Sequence, residues 1–498
     1  MRPAHVLGVG LVLLAVASLC AQMRWAHDIK QTAAGVSTTL LRQQSGPAAD
    51  PNTIVAPSTA TARPTEPVFN RAVFNQTAFR HGFTSRFPND TRGIVMCLHD
   101  NMAALGISLI QELRLLNNSL PIQVYTCLDE ELSNATRSLV LEVDTLNRTE
   151  IVDVCRSVLD AKYMLQWEAV EYQNFFLKIL AVLHTTFDEV LLLDADDIFL
   201  ANPDVLWTID SYVETGTLFF YDRQINFEQF FNTVLLWDHT LLNRLFDSFP
   251  YDKFGLQQPP VTDQLRASRA WQHQTAHEQD SSVVLLHKSR LGLPMLQVLW
   301  YLVDTVRYEQ TYTYGLSWGD KEYFWLSCLL SNVSYAFSPH PAAVVSRLDD
   351  MAKHPDTLCG SLTHYLPVKS PNPPLLHVNG KDILWPYYDS NTTFWANATW
   401  AEKEAYLVSA IPKHVTPLQA NRSFEADRDK LDQTCLVHQG AVPIAAPYFA
   451  SFVARRIHHT IAAAQVVVTK PPPVMFDPEA IISFDAVDAA KFENYRDS

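Results

Sequence analysis

Between Glu189 and Phe199 the chain runs apolar through Val190, Leu191, Leu192 and Leu193, then breaks on three carboxylates, Asp194, Asp196 and Asp197. An unbroken apolar run of that kind predicts a strand covered on both faces. Upstream, Ile94-Val-Met-Cys-Leu98 predicts another short strand. Asn101 is placed to cap the following helix, in which Leu105, Leu109, Leu113 and Leu116 recur at helical spacing. Pro121 to Leu128 predicts a second strand, ending at Asp129. Strand, helix and strand in such quick succession make a βαβ unit and imply a parallel sheet. Residues 167–186 predict a long helix burying Phe175, Ile179, Val182 and Leu183, which feeds the strand at 190–193. Thr217 to Tyr221 and Ser282 to His287 are further strands, and residues 222–280 between them read as a long polar and aromatic insertion. Such insertions often form a loop or lid over a site. After Val437 the chain turns polar and Pro-rich, with Pro471-Pro-Pro473, and predicts a peripheral extension. The expected class is α/β, a mostly parallel sheet flanked by helices, with no internal repeat.

The carboxylates at the end of the 190–193 strand cannot stay buried unpaired. In open α/β sheets, ligands bind just outside the carboxyl ends of the strands. Asp194 and Asp196 are therefore placed to bridge a hard divalent cation to a diphosphate, since Mg²⁺ and Mn²⁺ favour carboxylate and phosphate oxygens. This is the Asp-x-Asp pattern of transferases that use sugar nucleotides. The bland alternative is a strand-end turn whose carboxylates cap the next segment. Asp427-Arg428-Asp429 has the same spacing but lies in a charged stretch with no strand before it, and reads as a solvated helix face. The strand in front and the Asn202-Pro203 turn behind favour metal binding at Asp194 and Asp196.

Composition narrows the setting. At 498 residues and 48% hydrophobic content the chain can build a large core. A net charge of −15 argues against a nucleic-acid partner. Val6 to Ala21 is continuously apolar or small behind Arg2 and His5, which reads as a signal peptide or a signal anchor. The run is shorter than the ~20 residues a full span needs, and Ser18 with Cys20 or Ala21 could present a cleavage site. The following stretch, rich in Ala, Thr, Ser and Pro, looks like a tether and favours the anchor. Asn-x-Ser/Thr acceptors at Asn75, Asn89, Asn117, Asn134, Asn147, Asn332, Asn391, Asn397 and Asn421 fit a lumenal body. So do six cysteines beyond the apolar run, which permit up to three disulfides of undetermined connectivity.

Taken in chain order, several segments resemble the fungal-type Golgi α-mannosyltransferases of glycosyltransferase family 71. They are Arg92-Gly-Ile-Val-Met, Phe175-Phe-Leu-Lys178-Ile-Leu-Ala, and Phe187-Asp-Glu-Val-Leu-Leu-Leu-Asp-Ala-Asp-Asp. Gln279-Asp280-Ser281-Ser282 with Lys288, Trp318-Gly-Asp320-Lys-Glu322-Tyr-Phe-Trp325, and His377-Val-Asn-Gly380 complete the set. The resemblance covers roughly residues 92–385. It implies a GT-A fold, type II membrane topology and a Golgi location. It also implies transfer of mannose from GDP-mannose to a glycan or glycoprotein acceptor, with retention of α-configuration and with Mn²⁺ (or Mg²⁺). An α-1,3 linkage is expected. The corresponding division is a cytoplasmic tail 1–5, signal anchor 6–23, disordered stem 24–88, catalytic domain 89–390 and C-terminal extension 391–498.

His377, followed by Gly380 and Lys381, looks like the histidine that completes the metal site with Asp194 and Asp196 in related transferases; its bland reading is structural. Lys178 could neutralise a diphosphate or be a solvated helix lysine. A retaining transfer also needs a carboxylate or amide near the anomeric face and acceptor hydroxyl. Asp280 is the first candidate, with Asp320 and Glu322 next, on a turn that opens an aromatic helix. Asp320 could equally serve as an N-cap. Ser282 stands where the family pattern has glycine. His273 and His277 have the i,i+4 spacing of zinc proteases, but Gln274 replaces the glutamate such sites need. A UDP-sugar donor and a non-catalytic lumenal glycan-binding protein are the alternatives.

Overall fold

The computed structural model describes residues 71–467, apart from 72, 174, 226–227, 237–238, 309–314, 347–355, 388–394, 396 and 420–434. The expected anchor, most of the expected stem and the Asp427/Asp429 pair lie outside these residues. No helix among those described is long and apolar enough to cross a membrane.

The chain enters through a short helix α1 (Gln76–Phe79), capped by Asn75. Phe74, Phe79 and Phe87 are buried in the main core, so packed structure begins well inside the stretch 24–88 that was expected to be disordered. These phenylalanines supply the apolar surface that the preceding Ala/Thr/Pro-rich residues lack. Next come β1 (Arg92–Cys97), α2 (Ala103–Leu115), β2 (Ile122–Thr126), β3 (Thr149–Asp153), α3 (Leu177–His184) and β4 (Glu189–Leu193). They are followed by β5 (Asp197–Phe199), β6 (Thr217–Tyr221), β7 (Gln279–His287) and α4 (Tyr323–Leu330). Later come β8 (Ala343–Ser346), β9 (Ser361–Tyr365), β10 (Leu375–Asn379), β11 (His414–Val415), β12 (Val442–Pro443) and α5 (Phe449–Val466), among further elements.

Two six-stranded sheets result. The first runs β3-β2-β1-β4-β7-β6, parallel through β4 and antiparallel at β7 and β6. This is the α/β, mostly parallel architecture that the βαβ pattern and the resemblance imply. The second runs β12-β11-β8-β9-β10-β5, antiparallel at every pairing. The four apolar residues of β4 are fully buried, as their uninterrupted run requires.

Four local expectations change. The helix predicted over 167–186 is two pieces, Gln166–Val170 and α3, and Phe175 in the link between them is 66% exposed rather than buried. Asn101 does not cap α2; a 3-10 turn, Asp100–Met102, leads into it. β7 begins at Gln279, so Asp280 lies within the strand and not before it. Residues after Val437 are not simply peripheral. In α5, Phe449, Val453, Ile457 and Ile461 repeat every four residues and are buried with the apolar face of α2. Arg455 pairs with Glu112 at 2.7 Å, and the Ser108 and Thr460 hydroxyls lie 2.8 Å apart between the two helices.

Disulfides join Cys127 to Cys155 and Cys359 to Cys435, leaving Cys97 and Cys328 as thiols among the described residues. The sequon residues Asn89, Asn117, Asn134, Asn147, Asn332 and Asn397 are exposed.

Candidate active site

Asp194, Ala195 and Asp196 occupy the step where the chain leaves one sheet for the other. Leu193 ends β4 paired with Val283 of β7, and the Asp194 amide donates to the Ser282 carbonyl at 2.9 Å. Three residues later Asp197 has joined the edge of the second sheet, paired with Asn379 of β10. The Asp197 carboxylate also accepts from the Asp194 amide at 3.2 Å and so tightens the turn. Gly380 closes it from the far side, its amide 3.0 Å from the Asp196 carbonyl. A Cβ there would meet the end of the Ile198 side chain at 2.5 Å and would have to push it aside. His377-Val-Asn-Gly380 thus places backbone against the acidic turn.

Lys178 reaches the turn from α3. Its ammonium lies 2.6 Å from Asp194 and 3.5 Å from Asp320, and it donates to the Ser281 carbonyl at 3.3 Å. Burial pushes the Asp194 carboxyl up to about 7, with Lys178 opposing and the Asp196 and Asp320 charges adding to the rise. Burial also raises Asp196 and Asp320, and it raises Asp197 well above its ordinary value with Asp194 and Asp196 adding. Lys178 alone does not balance the negative charge of this turn. The Asp194 side chain keeps 22% of its surface open, so a hard cation can reach its oxygens.

Asp280, His364 and His377 form a second group. Among the described residues they are the one set of three His, Cys, Asp or Glu whose ligand atoms all lie within 4.8 Å of one another. His364 on β9 faces His377 on β10 in register. The Asp280 carboxylate takes the Ser282 hydroxyl at 2.6 Å and stands 2.9 Å from His364 Nε2. Ser282 Oγ is in turn 3.3 Å from His377 Nε2. Ser282 is the link that carries this chain of contacts from Asp280 to His377. Burial acts to raise Asp280, but His364, Lys321 and Ser282 hold it well below the usual carboxylate range. His377 is pushed well below its ordinary value by burial, with His364 adding, and is therefore neutral and able to ligate.

The expected set Asp194, Asp196 and His377 is not gathered at that spacing; His377 is grouped with Asp280 and His364 instead. Glu322 also differs from expectation. Fully buried, it accepts from the amides of Glu278 and Gln279 at 2.9 and 3.2 Å and from the Trp325 indole, pinning the start of β7 to α4. That carboxylate is taken up by the scaffold rather than presented to a sugar. Asp320, at 1% exposure, sits beside Lys178 with its Oδ2 free of hydrogen bonds. Lys288, matched by the resemblance, donates to the Thr185 carbonyl at 2.6 Å and is structural. His273 lies on the surface against Asn243, whereas His277 is buried between Phe230 and Trp318, so the two do not form a zinc pair.

Sequence reasoning missed His364, an isolated histidine with no local signal, and Lys321, which pairs with buried Asp222 at 2.5 Å. It also missed Arg456 of α5, which donates to the Ala195 carbonyl at 2.8 Å.

Together these features define an α/β protein with an acidic cluster, a buried lysine and a His-His-Asp group at the strand ends. Residues 91–365, more than half of the chain, match the family described as "Mannosyltransferase putative", and the protein belongs to that family. One relative is "Putative alpha-1,3-mannosyltransferase MNN14" of Candida albicans, 30% identical over 295 residues, covering 57% of this chain and 40% of that one. Another is "Alpha-1,3-mannosyltransferase MNT3" of Saccharomyces cerevisiae, 26% identical over 279 residues, covering 53% and 42% respectively. The chain thus spans less than half the length of these relatives. A solved structure of the galactosyltransferase LgtC with donor and acceptor sugar analogs aligns at 15% identity and a TM-score of 0.28, over 49% of this chain and 73% of that one.

Proposed function

We infer that the chain transfers mannose from GDP-mannose to a mannoside of a glycan or glycoprotein, forming an α-1,3 linkage with retention, inside the Golgi. Family membership and the names of the relatives support the sugar and linkage. Exposed sequons and two disulfides support a lumenal, oxidising setting. One observation carries the chemistry: the Asp194–Asp196 turn, Lys178 and Asp320 meet the Asp280–His364–His377 group at the same end of β4 and β7.

Asp194, whose side chain is partly open, and Asp196 would hold the divalent cation, Mn²⁺ or Mg²⁺, with His377 as a neutral nitrogen nearby. A bound cation supplies charge for a departing diphosphate. Lys178 would turn from Asp194 to neutralise the same phosphates. Asp280, kept ionised by His364 and Ser282, offers a negative charge to the developing positive charge at the anomeric carbon. Asp320 would accept a sugar hydroxyl, and Glu322 holds β7 and α4 so that Asp280 and Asp320 keep their places.

The test is to incubate the purified protein with Mn²⁺ and a panel of nucleotide sugars, scoring nucleotide release with and without mannoside acceptors. Acceptor-dependent GDP release from GDP-mannose is expected. Turnover of a UDP-sugar alone would replace the donor assignment, and glycan binding without turnover would remove the transferase reading.

A further inference from the structure

The C-terminal helix α5 lies beyond the segment that matches the family, yet it reaches the acidic turn. Arg456 projects from its buried face and is 1% exposed. One nitrogen, Nη2, donates to the Leu105 carbonyl at 2.9 Å and to the Ala195 carbonyl at 2.8 Å, with the Asp197 carbonyl at 3.5 Å. Ala195 is the middle residue of Asp194-Ala195-Asp196. The guanidinium therefore sits directly behind the two proposed cation carboxylates and holds their backbone. Its Nε and Nη1 have no hydrogen-bond partner. Filling the space between α5 and α2 would be served as well by leucine or methionine, without the cost of burying a charge. What the guanidinium adds is directed at the turn, through the Ala195 carbonyl at 2.8 Å and the Asp197 carbonyl at 3.5 Å. The helix is in turn fastened by Arg455 on Glu112 and Thr460 on Ser108, while the Cys359–Cys435 bridge ties in the segment leading to it.

We propose that Arg456 is a positioning residue for the cation site, fixing the Ala195 carbonyl so that Asp194 and Asp196 present their carboxylates in binding geometry. The inference rests on the cation assignment made above. Groups that orient a ligand from behind typically change metal affinity by roughly 10–100-fold when removed.

The experiment is a calorimetric Mn²⁺ titration, without sugar nucleotide, of the wild type and of R456M, R456K and T460A, alongside their Tm. Thr460 fastens the same helix but does not touch the turn. The Mn²⁺ Kd should rise roughly 10–100-fold in R456M and less in R456K, which can keep one donor. T460A should lower Tm with Kd unchanged. An R456M Kd equal to the wild-type value overturns the proposal. So does a T460A shift as large as that of R456M, because loose packing would then explain both. Should R456M fail to fold, R456K decides, and an unchanged Kd there also overturns it. A wild type that takes up no divalent cation sinks the cation assignment and this inference together, whereas normal wild-type binding with unmoved variants sinks only the inference.

Discussion

Lys178 and Asp194 form a 2.6 Å ion pair at the point where the chain crosses between the two sheets. The lysine is almost wholly buried, and it also faces Asp320 at 3.5 Å. It occupies the role a cation would otherwise fill beside these carboxylates. Lys178→Met should therefore destabilise the metal-free protein by roughly 3–5 kcal/mol, the cost of leaving buried charges unpaired. Added Mn²⁺ should raise the Tm of the variant more than that of the wild type. Equal increments would show that lysine and metal do not share the same carboxylates.

Metal binding should depend on pH through Asp194, which burial raises from 3.8 to about 7. Below that value the carboxyl is protonated, and a cation must expel the proton to bind. Mn²⁺ affinity should climb as pH rises toward about 7 and level off above it, with proton release visible calorimetrically. The sign for stability is opposite. The folded state holds this proton more tightly than the unfolded one, so the metal-free protein loses stability as pH rises from 3.8 toward 7. Asp194→Asn and Asp196→Asn should abolish Mn²⁺ uptake and transfer while the protein still folds. Flat Mn²⁺ affinity across this range would remove Asp194 from the cation site.

Asp280 should act at the transfer step. Its carboxylate is kept ionised by His364 and Ser282. Asp280→Asn should lower kcat by orders of magnitude with little change in GDP-mannose affinity, as for an interaction made mainly in the transition state. His364→Gln should move kcat in the same direction by a smaller factor, since it acts through Asp280. Weakened donor binding in the Asp280 variant would shift that residue into the donor site.

Glu322 should behave as a scaffold residue. Glu322→Gln keeps an acceptor for the Glu278 and Gln279 amides but sets an NH₂ against the Trp325 indole N–H, leaving a buried donor unmet. A loss of about 1–3 kcal/mol in stability is expected, read as a fall in Tm. Unchanged Tm with collapsed kcat would return Glu322 to the sugar.

Much of the first sheet was legible because its signals are local. The apolar run of β4, the leucine spacing of α2 and the βαβ rhythm each depend on residues close in sequence. Asp194 and Asp196 stood out because a buried strand cannot end in unpaired carboxylates without a reason. The rest depends on distant partners. His364 meets Asp280 across 84 positions, and nothing beside either residue announces the other. Glu322 lies on a turn read as facing the sugar, yet its partners are the amides of 278 and 279. Helix α5 was readable from Phe449, Val453, Ile457 and Ile461, but its Pro-rich surroundings masked the period. The link at Phe175 failed for another reason: an aromatic residue at helical spacing suggested burial, and the helix breaks around it.

The Cys359–Cys435 bridge makes the docking of the C-terminal helix a matter of cellular chemistry. It closes a separation of 76 residues, which in a chain-entropy picture is worth about 4 kcal/mol against the unfolded chain. Protein synthesised in a reducing cytosol would carry four thiols where the native chain has two cross-links, and its last helix would be held by noncovalent contacts alone. The same polypeptide recovered from an oxidising secretory host and from a reducing one should thus differ at a site that contains none of those cysteines, through the reach of Arg456 to Ala195.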